Sequence, residues 1–252
     1  MLYSKQEYQW FLIIQIIEFL DPNNIKINKT NPIIRIHLSI YWGCLKNWHK
    51  FGGTIMTKII YKYGCMNSGK SLELIKIAHN YMENGIETLI LKPELDQKAK
   101  NKVSSRTGLS LDAIEIKEDD PKQVLSVLEK SSAKIYLIEE CNFLSKEVID
   151  TIIDYGYNHD IESIIFFGIK VDFRGNLFPG SKRIIERCDK MEESTSVCWC
   201  GKKARQNGRV INGKLTKDGP TILVDIPENN VEYVMLCNYH FHTGELGPNY
   251  EV

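Results

Sequence analysis

Net charge is absent from this sequence: 32 lysines and arginines balance 32 aspartates and glutamates. The balance removes the bulk attraction that draws basic proteins to nucleic acid or to anionic membrane, and neither partner is expected. A long hydrophobic run is also absent. The most apolar N-terminal stretch, residues 10–20, is broken by Gln15 and Glu18 and is too short to span a bilayer. No secretory signal is evident in the sequence. An even cysteine count is missing too: the chain has seven, Cys44, Cys65, Cys141, Cys188, Cys198, Cys200 and Cys237, which argues against a disulfide framework and for a reducing, cytoplasmic setting. Residues 1–55 hold three of the four tryptophans, at Trp10, Trp42 and Trp48, yet no chemical motif. They read as an extension of doubtful structure, and Met56 stands directly before the first strand of the motif-bearing part.

What is present is ordinary for a globular chain, with 43% hydrophobic and 25% charged residues. The stretch that organises it is Gly64, Cys65, Met66, Asn67, Ser68, Gly69, Lys70 and Ser71, the G-x-x-x-x-G-K-S phosphate-binding loop. Each residue type has a physical task. The glycines allow backbone conformations closed to bulkier residues and let main-chain N–H groups approach a phosphate. Lys70 supplies a point charge for the β and γ phosphates, and the Ser71 hydroxyl can ligate Mg²⁺. A β-prone run at residues 59–63 leads in. Leu72, Ile75, Ile77, Ala78 and Tyr81 then predict a helix closed at Asn84-Gly85, so a helix N-terminus faces the bound anion.

Beyond the loop, apolar runs at residues 88–92, 134–138 and 163–169, with a short one at 113–116, predict further strands. Residues 96–108 read as a long polar loop. Asp120-Pro121 and Ser145 are helix starts, with Val124, Leu125 and Leu128, then Val148, Ile149, Ile152 and Ile153, on the inward faces. The alternation predicts an α/β fold: a P-loop NTPase-like, mainly parallel sheet flanked by helices. Ligands in such sheets sit at the carboxyl ends of the strands. Glu139-Glu140 ends the 134–138 strand there and offers hard oxygen ligands for Mg²⁺, with Asp172 expected to converge on the same place.

The character changes after residue 196. Cys198-Trp199-Cys200 is followed, after a turn-rich stretch, by Cys237-Asn238-Tyr239-His240. Two close thiols and a thiol–imidazole pair predict a four-ligand, structural Zn²⁺ site on a small C-terminal ribbon, with His242 as a rival to His240. The expected boundaries are 56–191 for the P-loop part, 192–243 for the ribbon and 244–252 for a tail.

The motifs, in order, resemble the thymidine kinase family of the zinc-ribbon, cellular and bacterial type. The matching pieces are GCMNSGKS, then SSRTGLS at residues 104–110, EECNF at 139–143 and GIKVDFRGNLFPGS at 168–181, followed by the C-x-C and C-x-x-H pairs and Tyr233. The resemblance runs from Met56 to about His242. It implies transfer of the ATP γ-phosphate to the 5′-hydroxyl of thymidine, with Glu140 as general base. ATP would lie against the loop residues together with Glu139, Glu140, Cys141 and Asn142, and Mg²⁺ against Ser71 and Glu139. Met66, Phe143, Phe173, Arg174, Phe178 and Tyr233 would surround the nucleoside, with Arg174 and Lys98 as candidates to neutralise charge on the transferring phosphoryl group. The resemblance also implies a homotetramer.

Three departures from the family pattern stand out. Glu139 replaces an aspartate, Lys98 replaces an arginine, and Pro227-Glu228-Asn229-Asn230 replaces a glycine pair before the closing tyrosine. Two other classes stay open beside the kinase: a weakened nucleotide-binding relative, and a P-loop ATPase whose ribbon touches nucleic acid. The neutral charge weighs against the last.

Overall fold

The computed structural model describes residues 56–95, 100–221 and 231–250. The expectations for residues 1–55, for Lys98 and for Pro227, Glu228, Asn229 and Asn230 lie outside the described residues. Along the chain run β1 (Lys58–Gly64), α1 (Lys70–Glu83), β2 (Thr88–Pro93), β3 (Lys102–Ser104), β4 (Ser110–Asp112) and β5 (Ile114–Ile116). Next come α2 (Pro121–Leu128), β6 (Ile135–Ile138), α3 (Lys146–Asn158), β7 (Ser163–Gly168), α4 (Pro179–Arg187) and β8 (Lys190–Ser194).

Six of the strands form one sheet in the order β5-β2-β6-β7-β1-β8, and every neighbouring pair is parallel. Strand geometry sends alternate side chains to opposite faces. Ile59, Tyr61, Leu89, Leu91, Tyr136, Ile138, Ile164 and Phe166 share one buried cluster with Val124 and Leu128 of α2, Val148, Ile149, Ile152 and Ile153 of α3, and Ile184 of α4. Ile90, Ile135, Leu137, Ile165 and Phe167 go to the other cluster, with Leu74, Ile75 and Ala78 of α1. Burial on both faces is why these strands appear in the sequence as unbroken apolar runs.

The helix starts follow the sequence. Asp120 Oδ1 accepts the Gln123 N–H at 3.0 Å, and Ser145 Oγ accepts the Val148 N–H at 3.2 Å. Two inward assignments need correction: Leu125 is 38% and Leu72 37% exposed, and Leu74 takes the core position in α1. Residues 102–104, expected as part of a loop, pair antiparallel with residues 110–112 as the β3–β4 hairpin. Only Val103 of that hairpin is buried, so no periodicity announces it.

Helix α4 and strand β8 are not signalled by apolar periodicity in the sequence. Strand β8 reads Lys-Met-Glu-Glu-Ser and lies at the sheet edge, pairing with β1 alone. It is anchored by Lys62, a largely buried ammonium that donates to Glu73 of α1 at 2.7 Å and to Glu192 of β8. A charge out of water needs such partners.

After β8 the strands are short and antiparallel: β9 (Ser196–Val197) with β10 (Lys203–Ala204), then β11 (Gln206–Ile211), β12 (Lys214–Thr216) and β13 (Val231–Leu236) in the order β12-β11-β13. Asn212 and Gly213 join β11 to β12 with φ of 50° and 74°, the paired positive values of a type I′ turn. Helix α5 (Asn238–Thr243) follows. Among the described residues no helix is long and apolar enough to cross a membrane, and the six described cysteines are all free.

Helix α4 sits tightly on the turn after β6. A Cβ on Gly180 would lie 2.5 Å from the Cys141 carbonyl and 2.6 Å from that of Leu144. Gly180→Ala is therefore expected to destabilise the fold by about 1–3 kcal/mol, because backbone must shift to admit the methyl group. A thermal midpoint equal to wild type would show that the turn yields freely.

Candidate active site

The chain leaves β1 and next enters the sheet at β2, with β6 and β7 lying between. Helix α1 must cross those two strands, which carries its first turn over the carboxyl end of β6. The consequence is a contact across 68 residues of sequence: Ser71 Oγ donates to the Glu139 carboxylate. Glu139 is buried, and the next residue, Glu140, is held at φ 44°, a left-handed conformation costly for a side-chain-bearing residue. Strain of this kind persists where the surrounding structure enforces it, and it clusters at active sites. Here the enforcing element is the 3₁₀ turn Cys141–Phe143, with the Phe143 N–H donating to the Glu140 carbonyl at 3.1 Å.

The loop itself has the expected chemistry. A Cβ on Gly64 would lie 2.4 Å from Ser68 Oγ and 2.6 Å from the Ser194 carbonyl, so only glycine fits. Gly69 is left-handed at φ 82° and leads straight into α1. The Lys70 ammonium donates to the Cys65 carbonyl at 2.8 Å and contacts Ser68 Oγ at 3.4 Å. Burial pushes the Cys65 and Cys141 thiols above their ordinary range, so neither adds negative charge beside a phosphate. A cavity of about 490 Å³ opens here, lined by residues 66–72, by residues 102–107 of the β3–β4 hairpin, and by Glu139, Glu140, Ile169, Val231 and Tyr233. Its lining combines a helix N-terminus and cations (Lys70, Lys102, Arg106), two carboxylates, and the apolar Met66, Ile169 and Val231 with Tyr233.

A second constellation lies in the antiparallel part. Cys198, Cys200, Cys237 and His240 bring their ligand atoms within 4.8 Å of one another. Tetrahedral coordination at about 2.3 Å per metal–sulfur bond needs sulfurs roughly 3.8 Å apart, so four such donors fit one ion. His240 Nδ1 faces Cys198 Sγ at 3.4 Å, while its Nε2 lies 3.6 Å from Glu245, the outer carboxylate that commonly orients a ligating imidazole. Trp199 stacks on the His240 ring at 4.3 Å. The backbone N–H of His240 holds the Cys237 thiol below its ordinary value, which favours the ligating thiolate. His242, the rival ligand, is not in the cluster.

A family model described as thymidine kinase matches residues 57–241. The chain belongs to the thymidine kinase family. A thymidine kinase of Streptococcus agalactiae serotype V is 36% identical over 195 residues, covering 76% of this chain and 100% of the relative. One of Lactococcus lactis subsp. lactis is 35% identical over 199 residues, with 76% and 100% covered. One of Enterococcus faecalis is 37% identical over 190 residues, with 74% and 95% covered.

Within this thymidine kinase family member, the residues expected at the site fall into two groups. Met66, Asn67, Ser68, Gly69, Lys70, Ser71, Glu139, Glu140 and Tyr233 line the cavity. Gly64, Cys65, Cys141 and Asn142 are not in the lining; Asn142 Oδ1 instead accepts the Ile169 N–H at 3.0 Å and fixes the end of β7. Phe143 and Phe178 pack edge to face at 5.9 Å, and Phe173 is buried beneath the Arg209 guanidinium. Arg174, expected beside the transferring phosphate, donates to the Lys217 and Gly219 carbonyls and to Thr221 Oγ1. Asp172 does not converge on the loop; its Oδ1 accepts the N–H groups of Arg174 and Asn176, both at 2.9 Å, and shapes that turn.

Sequence reasoning missed Asn207, whose Oδ1 accepts the Met66 N–H at 2.7 Å and so ties β11 to the phosphate loop. It also missed Arg106 and Lys102 as cavity cations. A polar residue inside a short strand carries no distinctive signal, but the SSRTGLS match already contained Arg106. For the metal cluster, purified protein is expected to carry one ion per chain, and Cys237→Ser to release it and loosen β9 to β13 more than the six-stranded sheet. Full metal content in that variant, measured by elemental analysis, would remove Cys237 from the ligand set.

Proposed function

We propose that this protein transfers the γ-phosphate of ATP to the 5′-hydroxyl of thymidine, giving dTMP and ADP. The observation that carries the reading is the meeting of the phosphate loop with Glu139 and Glu140 in one cavity that also holds Tyr233, in a chain of the thymidine kinase family. The loop amides, the α1 N-terminus and Lys70 bind the phosphates. Ser71 Oγ and the Glu139 carboxylate would hold Mg²⁺ through hard oxygens, and the ion would supply charge neutralisation to the ATP phosphates. Glu140 accepts the proton of the thymidine 5′-hydroxyl as its oxygen bonds the γ-phosphorus and the ADP oxygen departs.

Phosphoryl transfer is mainly positioning and charge stabilisation, and Glu140, held in a left-handed backbone conformation, lines the cavity where this step would take place. Met66 and Tyr233 contact the nucleoside, with Phe143, Phe173 and Phe178 as the packing that supports them. An ATPase without an acceptor needs no such apolar lining. The Cys₃His cluster holds a structural Zn²⁺, since all four positions are filled by protein. The same reading carries a cytoplasmic location and a homotetrameric assembly, which the family resemblance implies.

Glu140→Gln is expected to lower kcat by about two orders of magnitude while leaving ATP affinity nearly intact. Lys70→Ala should weaken nucleotide binding and turnover together. Near-wild-type turnover of Glu140→Gln would take the base role from that residue. A chain starting at Met56 keeps every matched residue and all of β1, so its kcat/KM for thymidine should equal that of the full chain. An inactive or unfolded short form would make residues 1–55 part of the working enzyme.

A further inference from the structure

Arg209, in the middle of β11, is wholly buried and among the largest fully buried side chains of the described residues. Taking a guanidinium out of water is costly, and a buried charge normally comes with a carboxylate. Among the described residues Arg209 has no such ion pair. Its donors go elsewhere: Nε to Tyr233 Oη at 3.1 Å, one terminal nitrogen to the Pro220 carbonyl at 2.8 Å and the other to the Thr221 carbonyl at 3.2 Å. The guanidinium lies 3.5 Å from the centre of the Phe173 ring. Arg174 stands 4.8 Å from the same ring and donates to the Gly219 and Lys217 carbonyls and to Thr221 Oγ1.

Packing alone does not call for this arrangement, because methionine fills a similar volume without the desolvation cost. The planar fork does what no apolar residue can: it joins Tyr233, a lining residue of the cavity, to the backbone at residues 220–221 across a sheet of three short strands. Lysine has the charge but lacks the fork. We infer that Arg209 is a positioning residue for the nucleoside, acting through the Tyr233 hydroxyl and the backbone of residues 220–221. The inference rests on the thymidine kinase reading, in which Tyr233 contacts the nucleoside. The phosphate loop is joined to β11 separately, through Asn207, so the effect of Arg209 should fall on thymidine and spare ATP.

The test compares steady-state kinetics of the full-length, metal-loaded wild type with Arg209→Lys, Arg209→Met, Tyr233→Phe and the Arg209→Met, Tyr233→Phe double variant. Both Arg209 variants should raise the KM for thymidine about tenfold or more, while the KM for ATP and the metal content stay within about twofold of wild type. Tyr233→Phe should raise it less, and should add little to Arg209→Met, because the two act as a unit. Equal rises in both KM values, or an unchanged thymidine KM in the Arg209 variants, overturns the inference. Should Arg209→Met fail to fold, Arg209→Lys and Tyr233→Phe decide: an unchanged thymidine KM in both overturns it. A wild type that turns over no thymidine overturns the kinase reading and this inference with it; an active wild type matched by its variants overturns this inference alone.

Discussion

The contact between Ser71 and Glu139 is the constraint on which the rest of the site depends. It exists because β6 and β7 lie between β1 and β2, so that α1 spans them and brings its first turn to the end of β6. The parallel register then places the phosphate loop and the acidic pair at the same carboxyl-end edge of the sheet, where the strands terminate, without any long-range tether of their own. Everything else at the site hangs on this edge. Asn142 pins the start of the turn after β7, Gly180 lets α4 press against the turn after β6, and Glu140 is thereby held in a backbone conformation it would not choose alone.

The antiparallel part is coupled to that edge through two polar contacts with the phosphate loop, Asn207 to the Met66 N–H and the Cys65 thiol to the Gln206 carbonyl. Its own interior is small: Cys198, Ala204, Leu236, Cys237 and Phe241 make up most of the buried apolar cluster beside Cys65. So little buried area stabilises weakly, and a metal held by Cys198, Cys200, Cys237 and His240 would supply what the core lacks. Val231 and Tyr233 line the cavity from β13, which ends directly before Cys237 of the Cys/His cluster, so in the proposed function the nucleoside side would depend on a metal held there.

Much of the fold could be read from the chain because β2, β6 and β7 are buried on both faces, and double burial leaves a largely apolar run. Strand β8 was invisible for the opposite reason: it is a charged edge strand, defined by its pairing with β1 and by Lys62. The β3–β4 hairpin has one buried residue, Val103, too few to set a period. At the site, the phosphate loop and Glu139-Glu140 were legible because their chemistry needs particular residue types in a fixed local order. Arg174, expected near the transferring group, and Asp172, expected beside the loop, hold backbone instead, since spacing cannot tell a polar side chain that faces a ligand from one that holds a turn. Arg209 was beyond reach altogether: an arginine in a short polar strand is ordinarily solvated, and only the packing shows it wholly enclosed.

The most direct measurement follows the phosphate. With ATP labelled at the γ position, Mg²⁺ and thymidine, label should appear in dTMP in step with ADP, and little ADP should form when thymidine is left out. ADP release that is independent of thymidine, with no label in a nucleotide product, would contradict the assignment of this cavity to a nucleoside kinase.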